Sequence, residues 1–269
     1  KRQDYSYNTY QNQEAYGAVL IAGLSIKDGA TLNIDNLNLK GTGWAQSTWG
    51  NGFYGNVIGT VKADANTNIN INNVTTEVRH DGYSMHYGVD AGIVGHYEGT
   101  DKTSKLNISR CHVSDDVLAF SYFGYCTADG GGIVGALKNG NATITECCVN
   151  GKLRAKSYYT HIGGIVGNVQ ASLITINDCI VNPKDLFEKN QVSISAECTN
   201  GQAAMGGFIG CIIDSNGSSI NNSFFSSTVS AGVKAGFAAW CNENQLVVNN
   251  SFFDIDTTGI AKNSGINDT

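Results

Sequence analysis

Residues 131–167 read GGIVGALKNGNATITECCVNGKLRAKSYYTHIGGIVG and contain one complete repeat of the chain. The stretch begins and ends with the same five residues: two glycines, two β-branched apolar residues and a glycine. Between them, the segment 142–149 alternates apolar and polar residues, which is typical of a half-buried strand. One such unit cannot bury its own apolar face, whereas stacked copies can. The stretch therefore predicts a β-solenoid.

The glycine-rich motif occurs seven times, with looser copies at both ends of the array. The copies lie at 20–23, 56–59, 90–95, 131–135, 163–167, 206–210 and 235–239. An alternating second motif follows each copy, at 31–37, 68–74, 106–111, 143–147, 174–179, 220–224 and 247–252. A third, weaker strand precedes the next repeat, as in 191–195. We therefore expect about seven rungs, each with three short strands joined by turns.

Stacking predicts columns of equivalent residues along the second motif. We expect two inward columns, one of small groups and thiols and one mostly apolar: Leu37, Val74, Cys111, Cys147, Cys179, Ser223 and Ser251, and Leu39, Thr76, Val113, Val149, Val181, Phe225 and Phe253. The outward column is predicted as Asn33, Asn70, Asn107, Thr143, Thr175, Ile220 and Val248. Threonine is the minority there, which argues against an ice-binding face.

The repeats divide the chain into three regions. Residues 1–16 form a tyrosine-rich leader without the repeat, which is predicted to be a cap or a strand donated to a neighbour. Residues 17–254 form the repeat array, and residues 255–269 form a C-terminal tail.

Composition restricts the classes of function. The chain has 269 residues, a net charge of −6, 15% charged residues, 33 glycines and a single proline. No lysine- and arginine-rich cluster occurs, so nucleic-acid binding is not expected. No apolar run approaches the roughly 20 residues that cross a bilayer, so no membrane span is expected. The opening residues carry no apolar signal-peptide region.

The stretch 131–167 resembles the GLUG-motif repeat, a family found in large surface and secreted proteins. The resemblance spans roughly residues 17–254 and is strongest from 91 to 210, and the ending 250–259 is similar to the segment that closes such arrays. It departs from the pattern at Ala238-Ala239 and in the leader. The resemblance implies a right-handed parallel β-helix that is extracellular or on the cell surface, often in adhesin-like proteins. It implies no catalytic residues.

Eight cysteines occur, and none lies in a CxxC pair, so a zinc site is not supported. Adjacent rungs lie about 4.8 Å apart, which is within disulfide range, and the candidate pairs are Cys111 with Cys147 and Cys211 with Cys241. The alternative is that the inward cysteines are buried thiols. Asn141 and Asn216 are the best candidates for N-glycosylation, because both sequons are expected in turns.

Other candidate sites were weighed against structural roles. Glycoside hydrolysis needs two carboxylates about 5–9.5 Å apart, and the pairs Asp115/Asp116 and Asp254/Asp256 fit this poorly. His80, His86 and Asp90 could ligate a metal, but their spacing matches no ligand pattern. The aromatic residues of a glycine-rich insertion are candidates for a protein interface or a glycan contact. They are Trp44, Trp49, Phe53 and Tyr54.

The sequence therefore favours a non-enzymatic, extracellular structural or adhesive module without a cofactor, such as a subunit of a surface filament. Its expected partner is a protein, through end-to-end self-assembly or binding to a surface protein, or a glycan. The alternatives are a polysaccharide-active enzyme and a lectin-like glycan binder on the same scaffold.

Overall fold

The computed structural model describes residues 15–47, 50–121, 126–181, 193–198, 203–242 and 244–260. It is nearly all-β, with strands in three sheets and a single four-residue helix, Ile255–Thr258, among the described residues. Neighbouring strands pair in parallel throughout these ranges, as between Thr127–Gly131 and Tyr159–Gly163. The prediction of an all-β fold with stacked parallel strands is confirmed.

Each repeat contributes strands to sheets A, B and C in that order. Sheet A contains Ala15–Gly17, Gly52–Gly55, Gly88–Ala91, Thr127–Gly131, Tyr159–Gly163, Ala203–Gly206 and Val233–Ala235. Sheet B contains Ile21–Ile26, Ile58–Ala63, Val94–Gly99, Val134–Lys138, Val166–Gln170, Ile209–Ile213 and Ala238–Cys241. Sheet C contains Thr31–Ser47, Asn68–Ser84, Lys105–Ser109, His112–Val113, Asp116–Ser121, Asn141–Thr145, Cys148–Val149, Lys152–Ser157, Leu173–Asn177, Ile180–Val181, Ser193–Cys198, Ser218–Asn221, Phe224–Phe225, Thr228–Ser230, Leu246–Asn249 and Phe252–Phe253.

The glycine pair of the motif forms the corner between sheets A and B. A Cβ atom on Gly164 would lie 2.1 Å from the carbonyl oxygen of Gly207, its equivalent in the next repeat. The same is true of Gly132, whose Cβ would lie 2.1 Å from the Gly164 oxygen. At these two corners the backbones approach too closely for a side chain, so glycine is required there, whereas the equivalent corner of an earlier repeat holds Asn56.

The bends of sheet C explain the asparagine and aspartate residues of the second motif. One non-glycine residue in each of the seven copies has a positive φ, between 47° and 59°: Asn36, Asn73, Arg110, Glu146, Asp178, Asn222 and Asn250. Asn and Asp tolerate this left-handed conformation better than most residues. Arg110 and Glu146 adopt it too, so the stacking imposes the bend.

The two predicted inward columns are confirmed. Cys111, Cys147 and Cys179 are at most 1% exposed, and Val113, Val149, Val181 and Phe225 are at most 3% exposed. The predicted outward column is wrong in its last two members. Thr175 pairs with Ser219 and then Val247, so Ile220 points inward and is fully buried.

Residues on both sides of the predicted repeat array pack with it. Ala15 and Tyr16, which are predicted to belong to the leader, lie in the first strand of sheet A. At the other end, Ile260 is 1% exposed and packs in the main core. The rest of the leader and of the tail lies outside the described residues. Within the described ranges, no helix is long and apolar enough to span a membrane.

Candidate functional site in the cleft between sheets A and B

The outward faces of sheets A and B meet along a seam on one side of the molecule. Sheet A contributes Tyr16, Phe53, Val89, Asp129, His161, Ala204 and Val233. Sheet B contributes Gly23, Thr60, His96, Ala136, Asn168, Cys211 and Trp240. Above the middle of this seam lies a cleft of about 510 Å³.

One half of the seam is aromatic and apolar. Phe53 stacks on His96 with ring centroids 4.6 Å apart, and the ring of Tyr87 meets Phe53 edge-on at 5.9 Å. Phe53, Val89 and Ala136 form a small apolar cluster, separate from the main core, and Tyr87 packs against it. This cluster fixes the ring of Tyr87 beside the cleft.

The other half of the seam is a polar network around Asp129, which is fully buried. His161 Nδ1 lies 2.8 Å from Asp129 Oδ1, and Asn168 Nδ2 donates to Asp129 Oδ2 at 2.9 Å. The Tyr87 hydroxyl also donates to Oδ2. Burial, followed by the charge of Asp129, raises the pKa of Tyr87 well above its ordinary value. The phenol therefore remains a hydrogen-bond donor at physiological pH.

Two hydrogen-bond acceptors in this network have no partner among the described residues. His161 Nε2 is buried and unsatisfied, and it is a hydrogen-bond acceptor in the tautomer that donates from Nδ1 to the Asp129 carboxylate. Asn168 uses its amide nitrogen on Asp129, and its Oδ1 is likewise buried and unsatisfied. Both side chains line the cleft.

The walls of the cleft carry further polar groups. Lys138 and Glu98 form an ion pair at 3.1 Å on the sheet B side, next to Gln170. On the sheet A side, the Cys126 thiol lies 4.0 Å from His86 Nδ1. Groups on the two walls therefore surround the same space, although they are far apart in sequence.

A second polar cluster lies inside the molecule. His80 Nδ1 is 2.6 Å from Asp90 Oδ1, and His80 Nε2 is 3.6 Å from Asp115 Oδ2. Asp115 also accepts hydrogen bonds from Asn56 and Thr76 at 2.7 and 2.8 Å. Burial alone would lower the pKa of His80, but Asp90 and Asp115 outweigh this and raise it to about 10. The cluster is a buried ion network that faces the interior of the sheets.

This placement changes the interpretation of the predicted metal ligands and carboxylate pairs. His80 lies within the strand Asn68–Ser84 and Asp90 lies in the next strand. No group of three metal-ligating side chains lies among the described residues.

The predicted carboxylate pairs are each divided between different environments. Asp115 is buried, whereas Asp116 pairs with Arg154 at 2.7 Å. Asp254 caps the short helix by accepting from the Asp256 N–H.

The two predicted aromatic contact residues whose side chains are described, Phe53 and Tyr54, lie on opposite faces of one strand. Phe53 lies in the cleft, but Tyr54 points to the opposite face of the same strand, where it stacks on His80 at 4.7 Å. Trp44 lies in the strand Thr31–Ser47, but its side chain is outside the described part of the structure. Trp49 lies outside the described residues.

The two candidate disulfide pairs have different geometries. Cys111 and Cys147 are stacked in adjacent repeats, with the Cys147 sulfur 3.4 Å from the Cys111 nitrogen. Cys211 pairs with Trp240, and Ile212 pairs with Cys241, so Cys211 and Cys241 point to opposite faces of sheet B. Among the seven cysteines whose side chains are described, all carry thiols and none forms a disulfide.

The two candidate glycosylation sites also differ. Asn216 is exposed in a turn, as predicted. Asn141 instead begins the strand Asn141–Thr145, and its Nδ2 donates to the Lys102 carbonyl at 2.6 Å. Because a glycan attaches to this nitrogen, the geometry favours Asn216.

The residues of the Asp129 network were not identified from the sequence. The signal in the sequence is a polar residue at a position where neighbouring repeats have an apolar one. Asn168 follows the last glycine of its motif, at the position that Ala136 occupies one repeat earlier. Asp129 and His161 likewise share a column with Val89 and Phe53.

Comparison with known proteins gives little information on function. No family model matches the chain, and no curated protein matches it. One similar solved structure is that of a "putative immunoglobulin A1 protease" from Bacteroides ovatus, with 15% sequence identity and a TM-score of 0.40. The alignment covers 81% of this chain and 67% of that one. A likeness of this degree carries no information on activity.

Proposed function

We propose that the protein is a non-enzymatic structural or adhesive module, secreted or displayed on a cell surface. We further propose that its sheets wind as a right-handed parallel β-helix of about seven rungs, since crossovers between parallel strands are right-handed in about 98% of cases. The observation that carries the proposal is the strand order. Sheets A and B each stack seven strands in chain order, with parallel pairing from one end of the array to the other. The GLUG-like repeats support the surface location.

The two ends of the array are the best places for self-assembly. Among the described residues, Thr31–Ser47 at one end and Leu246–Asn249 at the other have a strand neighbour on one side only. Open edges of this kind pair with other strands unless they are protected. Head-to-tail pairing of two such ends is heterologous and can propagate into a filament, and a partner protein can satisfy the same edge by strand addition.

The C-terminal end is only partly open. Ile260 covers the core there, whereas Val247 is 52% exposed on the last long strand of sheet C. An end-to-end contact is therefore expected to use the edge of sheet C rather than the core. This arrangement favours pairing through the backbone over burial of a large apolar surface.

Size and shape test this proposal directly. Seven strands spaced by about 4.8 Å predict an array roughly 34 Å long, which electron microscopy of assembled particles would show as a repeat along a rod. Light scattering over a range of concentrations should show association, and deletion of residues 1–16 should reduce it. Unchanged mass after the deletion would argue against a role of the leader, and release of shortened polysaccharide chains would overturn the non-enzymatic assignment.

A further inference from the structure

We infer that the cleft between sheets A and B binds an uncharged, hydroxyl-rich ligand, namely a saccharide unit, through His161 and Asn168 held in place by Asp129. The inference rests on the proposed adhesive function, because it gives that function a ligand that is bound and not converted. Of the predicted aromatic contact residues whose side chains are described, Phe53 lines this cleft and Tyr54 points to the opposite face of its strand.

The chemistry of the unsatisfied atoms selects the ligand class. Asp129 engages the only protonated nitrogen of a neutral His161 ring and one amide hydrogen of Asn168. What remains is a nitrogen lone pair and a carbonyl oxygen, and both accept hydrogen bonds. A complementary ligand must therefore donate hydrogen bonds, as hydroxyl groups do. Buried acceptors without a donor are costly, so pairing them favours binding.

The electrostatics of the cleft argue against a charged ligand. The Glu98 carboxylate and the Lys138 ammonium group pair with each other across 3.1 Å. The Asp129 carboxylate is buried and is stabilised by hydrogen bonds from Tyr87, Asn168 and His161. Neither an isolated cation nor an isolated carboxylate is therefore left facing the cleft from these groups, and a neutral polar ligand suits it best.

Size and shape are consistent with a sugar. The volume of about 510 Å³ lies within the range of small-molecule sites, which is about 300–1,000 Å³. The ring of Tyr87 lines the cleft and is held edge-on against Phe53, so it can pack against the apolar face of a sugar ring. His161 Nε2 and Asn168 Oδ1 belong to side chains that line the cleft, and both atoms are shielded from bulk water.

Binding to a printed array of neutral and sialylated oligosaccharides tests the inference. We expect binding to neutral members, with at least a tenfold loss of affinity in H161F and N168L and none in F224A, which alters the outer face of sheet C. Because H161F and N168L also remove donors to Asp129, a third variant, T127W, fills the cleft from its half-buried wall without touching that network. T127W should abolish binding.

The outcomes separate this inference from the proposed function. Absence of binding to every neutral oligosaccharide, or wild-type binding by T127W, would overturn the cleft site even if the particle is elongated and self-associating. Shortening of a bound oligosaccharide would overturn the non-enzymatic assignment while leaving the binding site in place.

Discussion

His80 shows what a buried charge requires of its neighbours. The side chains of His80 and Asp90 are fully buried, and Asp115 is 2% exposed. Two carboxylates in such a position are tolerated when cations and hydrogen-bond donors compensate them. Here His80 lies 2.6 Å from Asp90 and 3.6 Å from Asp115, and the Val78 N–H and the Leu118 N–H add hydrogen bonds at 2.7 and 3.2 Å. The two carboxylates raise the pKa of His80 and therefore favour its protonated form.

The raised pKa of His80 predicts a pH-dependent stability. The pKa is about 10 in the folded protein and 6.5 in an ordinary histidine, so the folded state holds an extra proton between these values. The stabilisation is fully present below about pH 6.5 and is lost as pH rises towards about 10. We expect H80Q to cost about 3–5 kcal/mol near neutral pH, because it leaves two buried carboxylates without a cation.

Urea unfolding of the wild type and H80Q from pH 6 to pH 10 measures this effect. The difference between the two free energies of unfolding should shrink as pH rises. H112Q is a matched control, because His112 is a half-buried residue outside this cluster. A pH-independent difference between the wild type and H80Q would contradict a charged His80.

The inward thiol column predicts selective cysteine reactivity. A hydrogen bond from Cys111 lowers the pKa of Cys147, but the Cys179 thiol and burial outweigh it and raise the pKa to about 12. Because the thiolate is the reactive form, a rise from 9.0 to about 12 slows alkylation about 1,000-fold. Burial slows Cys111 and Cys179 further, whereas Cys126 and Cys148 are partly exposed.

Iodoacetamide labelling of the native protein, read by mass spectrometry, tests the prediction. Cys126 and Cys148 should be labelled well before Cys111, Cys147 and Cys179. Labelling after unfolding without reductant then separates thiols from a disulfide. If Cys111 and Cys147 stay unlabelled at that stage, they are joined, as one of the sequence predictions proposed.

At the scale of the strand, the corner glycines decide whether repeats stack. Gly92, Gly132, Gly164, Gly207 and Gly236 occupy one column, and an added Cβ would meet the backbone or a core side chain at 2.1–2.4 Å. The first glycine of the pair forms a second column, and this column also contains alanine. Ala91 and Ala235 occupy the position that Gly131, Gly163 and Gly206 occupy in other repeats. The second position is glycine in these five repeats, whereas Asn56, which aligns with Gly92, occupies it in an earlier repeat.

Substitution at this corner should destabilise the whole array. G164A forces a methyl group to 2.1 Å from the Gly207 oxygen, and we expect a loss of about 1–3 kcal/mol in the free energy of unfolding. G130A is the matched control, because its Cβ would make an ordinary contact of 3.4 Å with Ile162. Its effect should stay within about 0.5 kcal/mol. Thermal unfolding of both variants would show the difference, and equal transitions would refute the steric argument.

The positions of the strands were predictable from the sequence, whereas the way the chain continues through the bends between them was less predictable. Alternation within 68–74 identified a strand, but the strand continues from Asn68 to Ser84 because stacking on its neighbour carries the pairing through the bend at Asn73. The inward position of Cys147 followed from periodicity alone. The outward residues of the last two repeats are Ser219 and Val247, four residues before Ser223 and Ser251, which is the same spacing as in the other repeats.

At the scale of the whole molecule, the cleft could not have been found from the sequence. Asp129 and Asn168 are separated by 39 residues and lie on different sheets. Their contact depends on the angle between sheets A and B, and on the fact that the outer faces of both turn towards each other. Periodicity assigns a residue to a face, but it does not say which two faces meet. The repeat array was predictable because each repeat contains the same two sequence motifs.

The exposed edge of the last sheet C strand leads to the final prediction. Val247 and Val248 are 52% and 36% exposed on Leu246–Asn249, a strand that pairs on one side only within the described residues. Lysine on an edge strand discourages pairing with another chain. If copies join end to end through this strand, V247K should lower the mass measured by light scattering at high protein concentration. I180K places the same charge on an apolar residue that is 44% exposed in the middle of the array. It should leave the mass unchanged, and a stronger effect of I180K than of V247K would move the contact from the end of the array to the flank of sheet C.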